Sequence, residues 1–215
     1  MTTSLFTQPK LLRMGIFLIW LFHLSGAIGI TWGYKDWFIE KTWLNLMACV
    51  LIFAFCYPMN TSRKWLIFGL FFGIGMFVEW LGANFSLLFG SYDYGNNLGP
   101  KIDGVPLFIG INWALLTFIT AALVTKPGPY GSLRALGGAA LMVFLDFFME
   151  KSAPIFDFWS FGPHVPLENY ITWFVIAFVL HLILFRSRLK GNRIICLHLY
   201  LAQLAFFAYF TFFPA

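Results

Sequence analysis

The sequence predicts an all-α, polytopic bundle of seven transmembrane helices, and three observations carry that prediction. Charged residues make up only 11% of the 215-residue chain and apolar residues 60%, whereas a soluble domain carries about 25% charged residues. The mean hydropathy is +0.79. The apolar residues collect in seven runs close to the length of about 20 residues that crosses a hydrocarbon core. The runs do not alternate apolar and polar positions, as the strands of a membrane barrel would. The expected organisation is one integral membrane domain over 1–215.

The first run covers 14–32. Lys10 and Arg13 before it and Ser25-Gly26-Ala27 within it resemble a signal peptide, but the apolar stretch continues to Trp32, so a retained helix is expected. The next runs cover 43–59 and 65–83, the second of which carries Glu79 near its end. Runs at 107–125 and 135–149 follow, and the latter, the shortest, leads into Asp146 and Glu150. Runs at 169–185 and 194–213 complete the set. Cys49, Cys56 and Cys196 lie inside apolar runs without any CxxC spacing, which reads as three small buried hydrophobes. Most of the 28 Phe are expected to face lipid or pack between helices, with some free to line a slot for a long apolar ligand.

Sidedness follows from the basic residues. With seven helices, Lys10, Arg13, Arg63, Lys64, Lys126, Arg134, Arg186, Arg188, Lys190 and Arg193 share one side, and Lys35, Lys41, Lys101 and Lys151 the other. The richer side, with the N-terminus, is expected to be cytoplasmic. All nine acids then lie toward the opposite side: Asp36, Glu40, Glu79, Asp93, Asp103, Asp146, Glu150, Asp157 and Glu168. Acids do not set topology, so their segregation suggests a site at that membrane face; avoidance of the anionic cytoplasmic surface is the plainer explanation. The net charge of +5 forms no basic stripe, so no nucleic-acid partner is expected.

Glu79 is the first candidate, because a carboxyl inside a membrane helix is costly and by default marks function. Gly75 and Gly82 share its helix face and allow close approach of another helix or a ligand. Asp146 and Glu150, at i and i+4, share a face of the fifth helix. The structural alternatives are an interfacial carboxyl for Glu79 or Glu150, and an interhelical hydrogen bond for Asp146. The long segments 84–106 and 151–168 are rich in Gly, Pro and aromatic residues, and long loops of that kind tend to carry function. Tyr92, Asp93 and Tyr94 are placed to fold back over a cavity. Gly95-Asn96-Asn97 and Asp103-Gly104 are turn signals. Trp159, Glu168, Asn169 and Trp173 stand out in the second loop and the helix after it, although aromatics at helix ends are often only interface anchors.

The absences narrow the chemistry. His23, His164, His181 and His198 form no HxxxH, HxxHH or HExxH box, so no metal site is expected. The seventh run has no lysine for a retinal Schiff base. No nucleotide-binding loop or nucleophile elbow is present. What remains is carboxyls, aromatics and water. A protonated carboxyl in an apolar site is a Brønsted acid. Its natural target in a membrane is an electron-rich alkene, whose protonation gives a tertiary cation that aromatic faces stabilise. Water captures that cation to give an alcohol, or an internal double bond captures it to give a ring.

The ordered set VEWLG (78–82), YDYGNNLGPKIDGVP (92–106), INW (111–113), LDFFME (145–150), FDFWSF (156–161) and VPLENYITWF (165–174) resembles the membrane-bound carotenoid 1',2'-hydratases, which include gamma-carotene and bisanhydrobacterioruberin hydratases. The wording is closest to bacterial members, which implies the bacterial cytoplasmic (inner) membrane. The resemblance implies cofactor-independent addition of water across the terminal double bond of an acyclic carotenoid end. Its partners would be that carotenoid, the lipid bilayer and other enzymes of the carotenoid pathway. Glu79, Asp146, Asn169, Trp173, Tyr92, Tyr94, Gly99, Pro106, Trp113 and Trp159 match its recurrent positions. The sequence departs from the pattern where Lys151 replaces an expected Pro and where a second Trp is expected near Phe161.

The resemblance and the chemistry together lead to a mechanism in which Asp146 or Glu79 protonates C2' and the cation forms at C1'. A second carboxyl among Glu79, Asp93 and Glu150 then deprotonates the water. Glu79 and Asp146, the two deepest acids, are the favoured pair. Tyr92, Tyr94, Trp113, Trp159, Asn169 and Trp173 would contact the substrate. The alternatives are a proton-initiated carotenoid cyclase, since Pro166-Leu167-Glu168-Asn169 is similar to a PxE-type motif of small seven-helix cyclases, and a non-catalytic carotenoid or lipid binder. With no inverted repeat in the sequence, a transporter is disfavoured.

Overall fold

The computed structural model describes residues 9–124 and 131–214. Within them seven helices of 15 residues or more cross back and forth. The first, α1 (Pro9–Gly29), continues through a π turn (Ile30–Tyr34) and a left-handed Gly33 (φ 94°) into short α2 (Lys35–Glu40). Then come α3 (Thr42–Cys56), α4 (Ser62–Phe85), α5 (Leu107–Leu123), α6 (Gly131–Ser152), α7 (Leu167–Arg186) and α8 (Arg193–Phe212). Five apolar helical segments are long enough to cross a membrane, while α3 and α5, at 15 and 17 residues, are shorter.

The seven-helix expectation holds, with two adjustments of length. The helix expected to be shortest, α6, runs for 22 residues, because Gly131–Arg134 and Glu150–Ser152 continue the helix beyond the purely apolar stretch. The short helix α5 ends before Thr125, which with Lys126 lies outside the described residues. It is about 25 Å long at 1.5 Å per residue, and it packs against α3, α4, α6, α7 and α8. Surrounded by protein, it need not match the full hydrocarbon thickness. The outer helices instead expose apolar side chains such as Phe17, Leu66, Phe77, Phe144, Val175 and Leu197, the faces a bilayer solvates.

Local signals fix the ends. Thr61 caps α4 by accepting from the Lys64 amide, and Asn192 caps α8 by accepting from the Ile194 and Ile195 amides. The Asp103-Gly104 turn closes a two-residue hairpin between β2 (Lys101–Ile102) and β3 (Val105–Pro106), with both turn residues at positive φ. All three cysteines are buried and free, as expected.

The two long loops meet at the acidic end of the bundle. There β1 (Tyr92–Tyr94) pairs antiparallel with β4 (Trp159–Phe161), matching Tyr92 with Phe161 and Tyr94 with Trp159. Around this ribbon Gly95 N donates to Phe158 O, and Asn97 Nδ2 donates to Phe156 O. The ribbon is a lid stitched over the ends of α4 and α6.

Candidate active site

Side chains alternate across a strand, so the β1–β4 ribbon turns Tyr92, Tyr94 and Trp159 toward the bundle and Asp93 and Ser160 away from it. Beneath the ribbon stands Glu79, which is 3% exposed. Its Oε2 accepts from the Tyr92 hydroxyl (2.6 Å) and the Tyr94 hydroxyl (2.7 Å), and its Oε1 accepts from the Trp113 indole N–H (2.8 Å). Three donors converge on one carboxyl, an arrangement suited to an acceptor-only group.

The glycines flanking Glu79 make that convergence possible. A Cβ at Gly75 would lie 2.7 Å from Trp113 Cβ, and one at Gly82 would lie 2.6 Å from the Tyr92 hydroxyl oxygen. Each glycine thus admits one of the groups that hold Glu79. Trp113 is fixed from its other face by Trp173, with centroids 3.8 Å apart and planes 17° apart.

Glu150, at the end of α6, is also buried. Its Oε2 accepts from the Trp159 indole N–H (2.8 Å) and its Oε1 from the Asn169 amide (3.0 Å). The neighbouring Lys151 points outward and exposed, over the Phe147 ring. Asp146, one turn deeper, is fully buried, and neither of its carboxyl oxygens has a hydrogen-bond partner. Of the nine acids these three are buried and the other six are exposed.

Glu79 and Glu150 face one another across a cavity of about 20 Å³ whose walls include Tyr92, Tyr94, Trp159, Asn169 and Trp173. That is room for about one water. Ile109, Asn112, Met149 and Trp159 also border a second, largely apolar cavity of about 340 Å³ between α1, α2, α3, α5 and α8. Exposed Phe22, Trp37 and Leu44 mark its opening at the outer surface of the bundle. Its volume falls in the range of sites that hold small organic ligands, roughly 300–1,000 Å³.

Most of the sequence-derived candidates therefore come together. Asp93 does not: it is exposed on the far side of the ribbon. Asp146 and Trp113 back the cavity without lining it, so the two carboxyls that line it are Glu79 and Glu150. Glu168 of the cyclase-like stretch is exposed, while its neighbour Asn169 is buried. Sequence reasoning did not single out Ile109, Asn112 or Met149, and although it expected some Phe to line a slot for a long apolar ligand, it did not place the large cavity, whose walls include Phe22, Phe38, Phe108 and Phe206. Asn112, a lone amide in an apolar run, was the one available signal. Among the described residues no group of three or more His, Cys, Asp or Glu is placed to hold a metal ion.

Outside the spans, burial pushes the phenols of Tyr92 and Tyr94 well above their ordinary range, and the Glu79 carboxylate adds to the shift. Both remain hydrogen-bond donors. The arrangement can hold a water between two carboxyls and admit the end of an apolar chain beside it. A family model described as carotenoid biosynthesis protein matches residues 41–213. No curated protein and no solved structure matches the chain.

Proposed function

This membrane protein belongs to the carotenoid biosynthesis protein family, and on that premise we propose that it adds water across the terminal 1',2' double bond of an acyclic carotenoid end. The observation that supports this most is the pairing of cavities: a one-water chamber between two buried carboxyls, sharing a wall with an apolar pocket that opens between exposed apolar side chains at the surface of the bundle. The polyene end enters through the larger pocket, and its last double bond reaches the chamber past Ile109, Met149 and Trp159.

Glu150 is the acid in this reading. Its O–H bond breaks as a C–H bond forms at C2', and the π electrons supply that bond, leaving a tertiary cation at C1'. The Trp173 and Tyr94 rings border the chamber and stabilise positive charge. Water then forms the C1'–O bond and gives its extra proton to Glu79, which three donors hold in place. Glu79 and Glu150 line the same chamber, so the next water to fill it returns the proton from Glu79 to Glu150 and closes the cycle, while Asp146, whose oxygens have no hydrogen-bond partner, lies outside that path. This replaces the pair expected from depth alone, Glu79 and Asp146, with the pair that shares the cavity.

The test is co-expression with an acyclic or monocyclic carotene, followed by mass analysis of the pigment. A product heavier by one water supports the reading, and an isomer of unchanged mass supports cyclisation. Bound pigment without conversion, together with tolerance of Glu79→Gln, supports a non-catalytic binder.

A further inference from the structure

Helix α5 is the innermost of the bundle: fourteen of its seventeen residues are buried, so every polar side chain on it needs a reason. Thr117 and Thr120 donate to the Trp113 and Leu116 carbonyls one turn back, each at 2.7 Å. Asn112 is different. It is only 8% exposed, yet among the described residues its amide makes no hydrogen bond. Its amide is not sealed in, since among the described residues only Asp146 holds fully buried side-chain polar atoms without a partner; it opens instead onto the two cavities it lines, where an unpaired amide in a largely apolar wall points to a polar ligand that is not part of the protein.

Its location says which one. Four residues wall both cavities: Ile109, Asn112, Met149 and Trp159. Two are apolar in this role, and the Trp159 N–H is taken by Glu150. Asn112 is therefore the one of the four with both a donor and an acceptor uncommitted, at the junction where an incoming chain end meets the space between the carboxyls.

We propose that Asn112 is the positioning residue for the attacking water, holding it against the cationic carbon while Glu79 takes its proton. This rests on the hydration reading. Protonation at C2' does not require Asn112, but capture does. Without a held water the cation has another exit: it loses a proton from an adjacent carbon to a carboxylate, and the electrons of that C–H bond re-form an alkene. In D₂O this abortive route leaves deuterium in the recovered carotene, whereas successful capture gives the alcohol.

The experiment compares wild type with Asn112→Leu, Asn112→Ala and Asn112→Ser, each reconstituted in lipid discs in D₂O with an acyclic-ended carotene. Alcohol and deuterium in the recovered alkene are both measured. The expected result for Asn112→Leu is an alcohol yield lower by about tenfold or more while deuterium uptake persists or rises. Asn112→Ser, which keeps a donor and an acceptor, recovers part of the yield. Asn112→Ala repeats the comparison without added bulk, should the leucine variant fold poorly. Unchanged alcohol in the leucine and alanine variants, or alcohol and deuterium falling together, overturns the assignment. A wild-type protein that yields neither alcohol nor deuterated alkene overturns the hydration reading itself, so the two failures are told apart.

Discussion

Replacing Glu79 by Gln changes almost no volume, so its consequences are those of hydrogen-bond valence. Two carboxylate oxygens accept from three donors: the Tyr92 and Tyr94 hydroxyls and the Trp113 N–H. Glutamine offers one acceptor oxygen and a nitrogen that only donates. If its oxygen faces the phenols, its NH₂ meets the Trp113 N–H, and Trp113 is fully buried with no other acceptor. If its oxygen faces Trp113, its NH₂ donates to the phenol oxygens, the Tyr94 hydroxyl turns to the neighbouring Tyr92 hydroxyl, and the Tyr92 hydroxyl turns to the main-chain oxygen of residue 79, 3.3 Å away. The second arrangement keeps every donor paired but exchanges charge-assisted hydrogen bonds to a carboxylate for weaker neutral ones, at about 1–3 kcal/mol. Thermal unfolding in lipid discs should show that loss, and conversion should fall by about 100-fold or more because the proposed base is gone. In a double-mutant cycle with Trp113→Phe, which deletes the colliding N–H, Glu79→Gln should cost less stability than it does in wild type, while activity stays absent. Full activity in Glu79→Gln, or strictly additive stability effects, would refute the reasoning.

Four further outcomes follow from the same geometry. Tyr94→Phe removes one donor to Glu79 and should lower turnover by about tenfold with the helices intact, as circular dichroism and product assay will show. Gly75→Ala forces a methyl against Trp113, which Trp173 holds from behind; it should cost about 1–3 kcal/mol by overpacking and impair turnover, read by thermal unfolding and product yield. Ala48→Trp fills the 340 Å³ pocket away from every carboxyl, and should raise KM or block conversion while stability is retained. The raised phenols of Tyr92 and Tyr94 give a pH dependence of defined sign. A folded-state pKa above the unfolded value gives stability that is complete below the unfolded tyrosine value of about 10 and lost above it. Stability should therefore fall with rising pH above about 10, less steeply in Tyr92→Phe, as denaturation at a series of alkaline pH values will show.

The helices were legible because a bilayer writes them plainly: a crossing helix needs a long apolar run, and each run became a helix. The face of Glu79 was legible for the same reason of periodicity. Gly75 and Gly82 sit four before and three after it, and both proved to be contact points for groups that hold it. Depth was legible along a helix, but rotation about the axis was not. Asp146 is the deeper acid, yet Glu150 faces the cavity. Glu150 looked interfacial beside Lys151, and what buries it is a loop folding back: Trp159 and Asn169 reach it from beyond the helix end. The β1–β4 pairing joins three-residue strands more than sixty residues apart, too short for any alternation pattern to announce. The large pocket joins motif residues such as Asn112, Phe158 and Trp159 to walls from α1, α2 and α3, segments that carry no chemical motif, so only packing could show where it lies.

The central claim is that two buried carboxyls and a held water convert a carotenoid end by hydration. Its most direct test is turnover by the purified protein in H₂¹⁸O with an acyclic-ended carotene and no added cofactor or metal. The account predicts a tertiary alcohol that carries the heavy oxygen at C1', and none from Glu79→Gln. A product without the label, or an isomer of unchanged mass, would contradict it.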